Sequence, residues 1–380
     1  MRLTARQLNR ATLSRQWLLE RRSADVVDAV RSVCALQAQA PASPYIALWN
    51  RVAGFDPGDL DRAYDDRRIV KATLMRITLH AVAAEDYPAF HHAMAEDLRR
   101  SRVFDRRFKL LGLSIDDADA LMATALEFAT EARTNAELHA CLERRTGALP
   151  DPGAWWALKT FAPMLHAPTG GPWAFGDRPS YLASPIEAFT GSREDSVARL
   201  LRSYLEAFGP ASAADFNQFT LMPQPPIRAA IELLGDELVT HEDPAGKVLY
   251  DVAGRGVPSA DEPAPPRLMA MWDNILLAYR DRSRIIPEAY RTLVIRTNGD
   301  TLPTVLVDGH VAGIWRPTAD GAGIEVSAFH PFDDATWMGL EGEAGGLIGF
   351  IASRQADVYR RYGRWWTDLP AAEVRVLGDS

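Results

Sequence analysis

The feature that most narrows the folds open to this chain is a pattern that recurs three times: two or three helices, then a short pair of strands. In the first stretch, apolar spacing predicts helices over residues 4–21, 23–37 and 45–52. Asp56 then caps a fourth, with Pro57 at its first position. The run IVKATLMRITLHAV (69–82) is rich in β-branched residues and reads as two strands, followed by a long helix over 84–109. In the second stretch, Thr134-Asn-Ala-Glu137 is a capping box opening a helix through Arg144. Asp151-Pro152 opens the next, running to about Leu165, and residues 169–182 read as a turn-rich hairpin. In the third, a helix over 196–208 closes at Gly209-Pro210, others start at Ser212 and Pro226, and residues 238–252 form a hairpin. Helix, helix, helix, hairpin is the order of a winged helix. The reading is therefore three tandem winged-helix modules over 1–112, 113–190 and 191–255.

The run GRGVPSADEPAPPR (254–267) is the clearest linker, and beyond it the pattern turns to strands. DTLPTVLVDGHVAGIW (300–315) has two β-rich arms around Asp308-Gly309, the strongest hairpin signal in the chain. A strand over 323–329 and a closing helix over 343–362 complete an expected β-rich domain, 256–380. The fold class is thus α+β, mainly α. The arginine-rich start resembles a targeting segment, but Thr4 and Gln7 form a capping box ahead of helically spaced Leu8, Leu13, Trp17 and Leu18. It reads as the first helix of the folded domain.

Composition bounds function mainly by exclusion. The net charge of −8 argues against nucleic-acid binding taken naively. Its distribution argues the other way: LRRSRVFDRRFK (98–109) holds six basic residues against Asp105 alone, and arginines cluster again at 280–296 and 354–364. Solvated helix faces give the same runs, so charge alone does not decide. No run of 18 apolar residues occurs, so no membrane span is expected. Cys34 and Cys141, the only cysteines, read as buried thiols of a reducing cytoplasm. Walker, GxSxG and HExxH motifs are missing, as are cysteines at zinc spacing. His91 and His92 are adjacent, about 100° apart on a helix and badly placed to chelate one ion. His80, His139, His166, His241 and His330 have no obvious partner in the sequence. Neither metal nor cofactor is expected.

One short motif stands out: Gln37-Ala38-Gln39, stopped by Pro41 at the end of the second expected helix. Its surroundings give it meaning. LSRQWLL, VCALQAQAPASPYIALWNRV, LMRITLHAV, RSYLEAFGPASAADF, WDNILLAYRDRSRIIP and LVDGHVAGIWRP follow in order over roughly residues 10–330. On these pieces the chain resembles the AlkZ/YcaQ family of winged-helix DNA glycosylases. That family's active-site motif is Gln, an apolar residue, then Gln or Asp. Gln37 and Gln39 match the form ending in Gln, which resembles the AlkZ branch. The resemblance implies Gln37 and Gln39 as catalytic residues and no cofactor. It implies duplex DNA carrying N7-alkylated purines as substrate, with bulky adducts and interstrand crosslinks included. It also implies a role in repair or in self-resistance to a DNA-alkylating antibiotic. A monomer acting at the nucleoid of the cytoplasm, with no membrane or metal, completes the expectation.

The chemistry is coherent. Glycoside cleavage ordinarily needs an acid for the leaving group and a carboxylate for the developing oxocarbenium. An N7-alkylated purine already carries positive charge, so it departs neutral and needs no proton. Holding a water and stabilising the sugar cation remain, and carboxamide oxygens can do both. No Schiff base is expected, because none of Lys71, Lys109, Lys159 and Lys247 falls in a matched piece. The hairpin 303–315, with His310 after its turn, is a candidate groove probe, a plain β-ribbon being the alternative. Arg76, Arg282, Arg284 and Arg316 are candidate phosphate contacts, with structural salt bridges as the alternative. Two other functions compete: a winged-helix transcriptional regulator without catalysis, and an enzyme of a small non-nucleic substrate.

Overall fold

The computed structural model describes residues 1–146, 153–367 and 369–378. Thr4 and Gln7 cap each other reciprocally at the head of helix α1 (Ala5–Arg15). Asp25 then accepts from the Val27 N–H and starts α2 (Val26–Ser32). Cys34, at φ +68, turns the chain out of helical geometry, and Leu36–Gln37 forms strand β1 instead. The helix expected over 23–37 therefore stops short, and the glutamine motif leaves from a strand. Helices α3 (Ser43–Trp49) and α4 (Pro57–Asp65) lead to β2 (Ile69–Thr73) and β3 (Leu79–Ala83). The long helix expected next is broken: α5 (Tyr87–Val103) ends, and Asp105 recaps the short α6 (Arg106–Lys109).

Helix α7 (Ile115–Phe128), β4 (Arg133–Thr134), α8 (Asn135–Thr146) and α9 (Gly153–Phe161) follow. The start expected at Asp151-Pro152 lies outside the described residues. Strands β5 (Met164–Ala167) and β6 (Ser180–Ala183) make the second hairpin. The first two hairpins do not stay separate. They join in one sheet of order β1-β3-β2-β5-β6-β4, sealed across its middle by the pair Lys71↔His166. Helices α10 (Arg193–Phe208), α11 (Ala213–Thr220) and α12 (Gln224–Leu234) precede a third, independent hairpin, β7 (Leu238–Glu242) with β8 (Val248–Val252).

The C-terminal part is a five-stranded antiparallel sheet. It comprises β9 (Arg267–Leu268), then, after helix α13 (Arg291–Val294), β10 (Thr304–Val307), β11 (His310–Pro317) and β12 (Ile324–Ala328). Asp308 and Gly309 both have positive φ, +46 and +79, as a tight two-residue hairpin turn requires. The closing helix is α14 (Asp334–Ala352), earlier than expected, and the chain then returns as a strand, β13 (Glu373–Leu377). The fold is α+β. No helix among the described residues is long and apolar enough to cross a membrane. Cys34 is buried, whereas Cys141 is only half-buried.

One continuous apolar core crosses these parts, and two buried ion pairs lock them together. Arg15 on α1 bonds both oxygens of Asp251 on β8, at 2.6 and 2.8 Å. Arg51, after α3, holds Asp273 with two bonds of 2.8 Å, both side chains being 1% exposed. The second pair matters most for the site, because Asp273 caps the 3-10 turn carrying Asn274.

Candidate active site

The loop between β2 and β3 places two successive residues in left-handed backbone, Arg76 at φ +54 and Ile77 at φ +59. For a β-branched residue such as Ile77 this geometry is rare and costs roughly 1–3 kcal/mol. It turns the Arg76 guanidinium toward Gln37 and Asn274. There Nη2 donates to Gln37 Oε1 at 2.7 Å and to Asn274 Oδ1 at 2.8 Å, with His80 Nε2 further off at 3.3 Å. Nη1 donates to the Phe219 carbonyl at 3.1 Å, and the guanidinium carbon lies 5.1 Å from the centre of the Phe219 ring. A guanidinium only donates, so the Gln37 atom facing it is the oxygen and the amide N–H groups point elsewhere.

None of these hydrogen bonds goes to a carboxylate. Arg76 is a partly buried cation satisfied by neutral acceptors. Burial and the nearby Arg282 charge pull its pKa down to about 9, which leaves it protonated at neutral pH. Burial and the Arg76 charge hold the His80 imidazole well below its usual range. It is therefore neutral, with Nδ1–H donating to the Thr78 carbonyl at 3.1 Å and Nε2 open to accept from Arg76. Asn274 is tied from its other end, donating to the Ala35 carbonyl at 2.8 Å.

The two glutamines do not lie in one cluster. Gln37 sits opposite His80 in the sheet and is 5% exposed. Gln39 is exposed, and its Oε1 accepts from the Leu79 N–H at 3.3 Å. It opens onto a cavity of about 370 Å³ lined also by Lys71, Thr73, His166 and Arg361. A larger cleft of about 720 Å³ lies between α1, α2 and α10, but its arginines 31, 199 and 202 are paired with Glu85, Asp86, Glu206 and Glu237.

Of the basic residues singled out in the sequence, Arg76 lies on Gln37, and Arg282 is near enough for its charge to be felt at Arg76; Arg282 has no acidic partner among the described residues. Arg284 donates to the Pro210 carbonyl at 3.0 Å and packs 4.1 Å from the centre of the Tyr279 ring. His310 lies just after the hairpin turn, and that turn is clamped rather than free. Asp308 pairs with Arg6 and Arg10, and Asn9 donates to the Gly309 carbonyl at 2.9 Å. A Cβ on Gly309 would come within 2.5 Å of Asn9 and Leu13, so only glycine fits. Arg316 stands apart, bound by two hydrogen bonds of 2.8 and 3.0 Å to Glu325 on the adjacent strand.

Three site residues escaped the sequence reading. His80 is not isolated but contacts Arg76, four residues earlier across the hairpin loop. Asn274 lies within WDNILLAYRDRSRIIP but has no local signal for its role. Lys71, just before LMRITLHAV, shares the Gln39 cavity.

The class is DNA glycosylase: the family described as "DNA glycosylase AlkZ-like" matches residues 30–350. With most of its length under that match, the chain belongs to the AlkZ-like DNA glycosylase family. It is 25% identical over 338 residues to an interstrand DNA cross-link repair glycosylase of Streptomyces sahachiroi, covering 83% of this chain and 88% of that protein. Its fold is similar to that of the solved Streptomyces sahachiroi DNA glycosylase AlkZ, with a TM-score of 0.77 at 19% identity, over 93% of this chain and 98% of that one.

Proposed function

We propose that this chain hydrolyses the N-glycosidic bond of N7-alkylated purines in duplex DNA, including bulky adducts and interstrand crosslinks. The observation that carries the reading is that, among the described residues, no carboxylate hydrogen-bonds to Gln37, Gln39, Asn274 or His80, Asp177 lining only the cavity beyond Gln39. Gln37, Gln39, Asn274 and neutral His80 offer no group able to protonate a leaving base, so a base that leaves without protonation fits them best. Gln39, the exposed amide, positions the attacking water; Gln37, with its oxygen on Arg76, holds the floor behind it. Water, not a protein amine, is the nucleophile in base release. The Arg76–Arg282 pair lacks a carboxylate, and a DNA phosphate beside the lesion supplies the missing anion.

Arg284 and the hairpin edge with His310 extend that contact, the clamped hairpin acting as a fixed wall rather than a moving probe. Arg316, held by Glu325, has no part in this reading. The relative named for cross-link repair supports the choice of lesion, since a crosslinked base cannot be flipped into a closed pocket and needs an open site. Repair of alkylation damage, or self-resistance to an alkylating antibiotic, is the corresponding role, carried out by a monomer. The test is a duplex carrying one N7-methylguanine, incubated with the protein and then treated with alkali. Cleavage at the lesion is expected; an intact strand at saturating protein would refute the reading.

A further inference from the structure

Base release as described makes no use of Lys71, yet Lys71 is an expensive residue for its position. It sits in the middle of a central strand, 5% exposed, with no acidic partner among the described residues. Its Nζ lies 4.3 Å from the centre of the Phe175 ring. Its cross-strand neighbour is His166, and both line the cavity onto which Gln39 opens. Amine and imidazole therefore share the cavity of Gln39, the residue assigned to the attacking water.

We propose that Lys71 and His166 form an abasic-site lyase centre, in which Lys71 captures the deoxyribose aldehyde as an imine and His166 takes the C2′ proton. The surroundings prepare both groups. Burial, then the charge of Arg361, lowers the Lys71 pKa from 10.5 to about 7, so much of it is free amine at neutral pH. Burial and the charges of Lys71 and Lys159 hold His166 well below the usual histidine range, so it is a neutral base. In the first step Nζ adds to C1′ of the ring-opened sugar and the carbinolamine loses water. His166 then removes a C2′ proton, a C2′–C3′ double bond forms, and the C3′–O bond breaks with the phosphate as leaving group. Hydrolysis of the imine returns Lys71 and leaves an unsaturated aldehyde on the cut strand. No oxidant or reductant is consumed.

The proposal rests on the glycosylase reading only for the origin of the abasic sugar, so its test starts from a duplex with a preformed abasic site. With borohydride present, the wild-type protein is expected to become covalently attached to the DNA, and peptide mapping to find the attachment at Lys71. Without borohydride, the strand is cut at the abasic site. Lys71→Arg, which cannot form the imine, loses both. His166→Asn still forms the trapped adduct but cuts about 100-fold more slowly, the usual contribution of a general base. No adduct with the wild-type protein, or an adduct at Lys159 or another lysine, overturns the proposal, even where the Lys71 variant fails to fold. Undiminished cutting by His166→Asn overturns the role of the imidazole. A protein inactive on N7-methylguanine can still pass this test, which keeps the two readings apart.

Discussion

Replacing Gln39 with Ala separates chemistry from folding more cleanly than any other change in the site. The side chain is exposed, and its one hydrogen bond is a long 3.3 Å contact to the Leu79 N–H. Its loss should alter stability by no more than about 0.5 kcal/mol, as for surface substitutions generally. The same amide is assigned to the attacking water, and one positioned polar group aimed at developing charge supplies about 10²–10³ in rate. Single-turnover excision of N7-methylguanine, read by alkali cleavage, should therefore slow by about two to three orders of magnitude. Duplex affinity and the thermal midpoint should stay put. Gln37→Ala is the contrast: it removes an acceptor of a partly buried guanidinium, so about 1.5–3 kcal/mol of stability should go together with activity. Excision by Gln39→Ala within about threefold of the wild-type rate, less than a positioned group supplies, would refute the assignment.

Other consequences follow from the buried charges. Arg51→Met leaves Asp273 buried without its partner, at a cost of about 3–5 kcal/mol, and frees the turn that presents Asn274. Chemical denaturation should show the loss, and the double variant Arg51→Met/Asp273→Leu should recover much of it. Lys71→Met should stabilise the protein. The unfolded chain titrates this amine near 10.5 and the folded one near 7, so the unfolded state binds more protons between those values and wild-type stability rises with pH across that window. The gain from methionine is thus largest at and below about pH 7, with a ceiling of roughly 5 kcal/mol, and fades toward about pH 10. Urea midpoints at the two ends of the window check the sign, and a gain that grows with pH would contradict it.

Signals confined to a few residues were legible in the sequence. Thr4/Gln7 and Thr134/Glu137 form the reciprocal caps that their spacing announces, and Asp308-Gly309 makes the tight turn. What the sequence hid was decided at long range. Leu36–Gln37 continues a helical pattern, but pairing with β3 and the left-handed Cys34 turn it into a strand. β13 comes after the expected last helix and exists only because β12 offers an edge. Pairing of Lys71 with His166, 95 positions apart in the numbering, fuses two hairpins that read as separate wings. Gln37 and Gln39 were visible as a motif, but not their division between a buried cluster and an open cavity. Asn274 reaches the site through Arg51 and Asp273, a chain of contacts with no trace in local spacing. His80 was within reach: four residues after Arg76 across a short hairpin loop, it had to face the same place.

The claim on which everything else depends is that uncharged amides suffice because the departing base is already cationic. It is tested most directly by comparing single-turnover excision of N7-methylguanine with that of a neutral lesion, hypoxanthine, in otherwise identical duplexes. The account predicts rapid release of the methylated base and no detectable release of hypoxanthine. Comparable rates for the two would mean that the site protonates its leaving group after all.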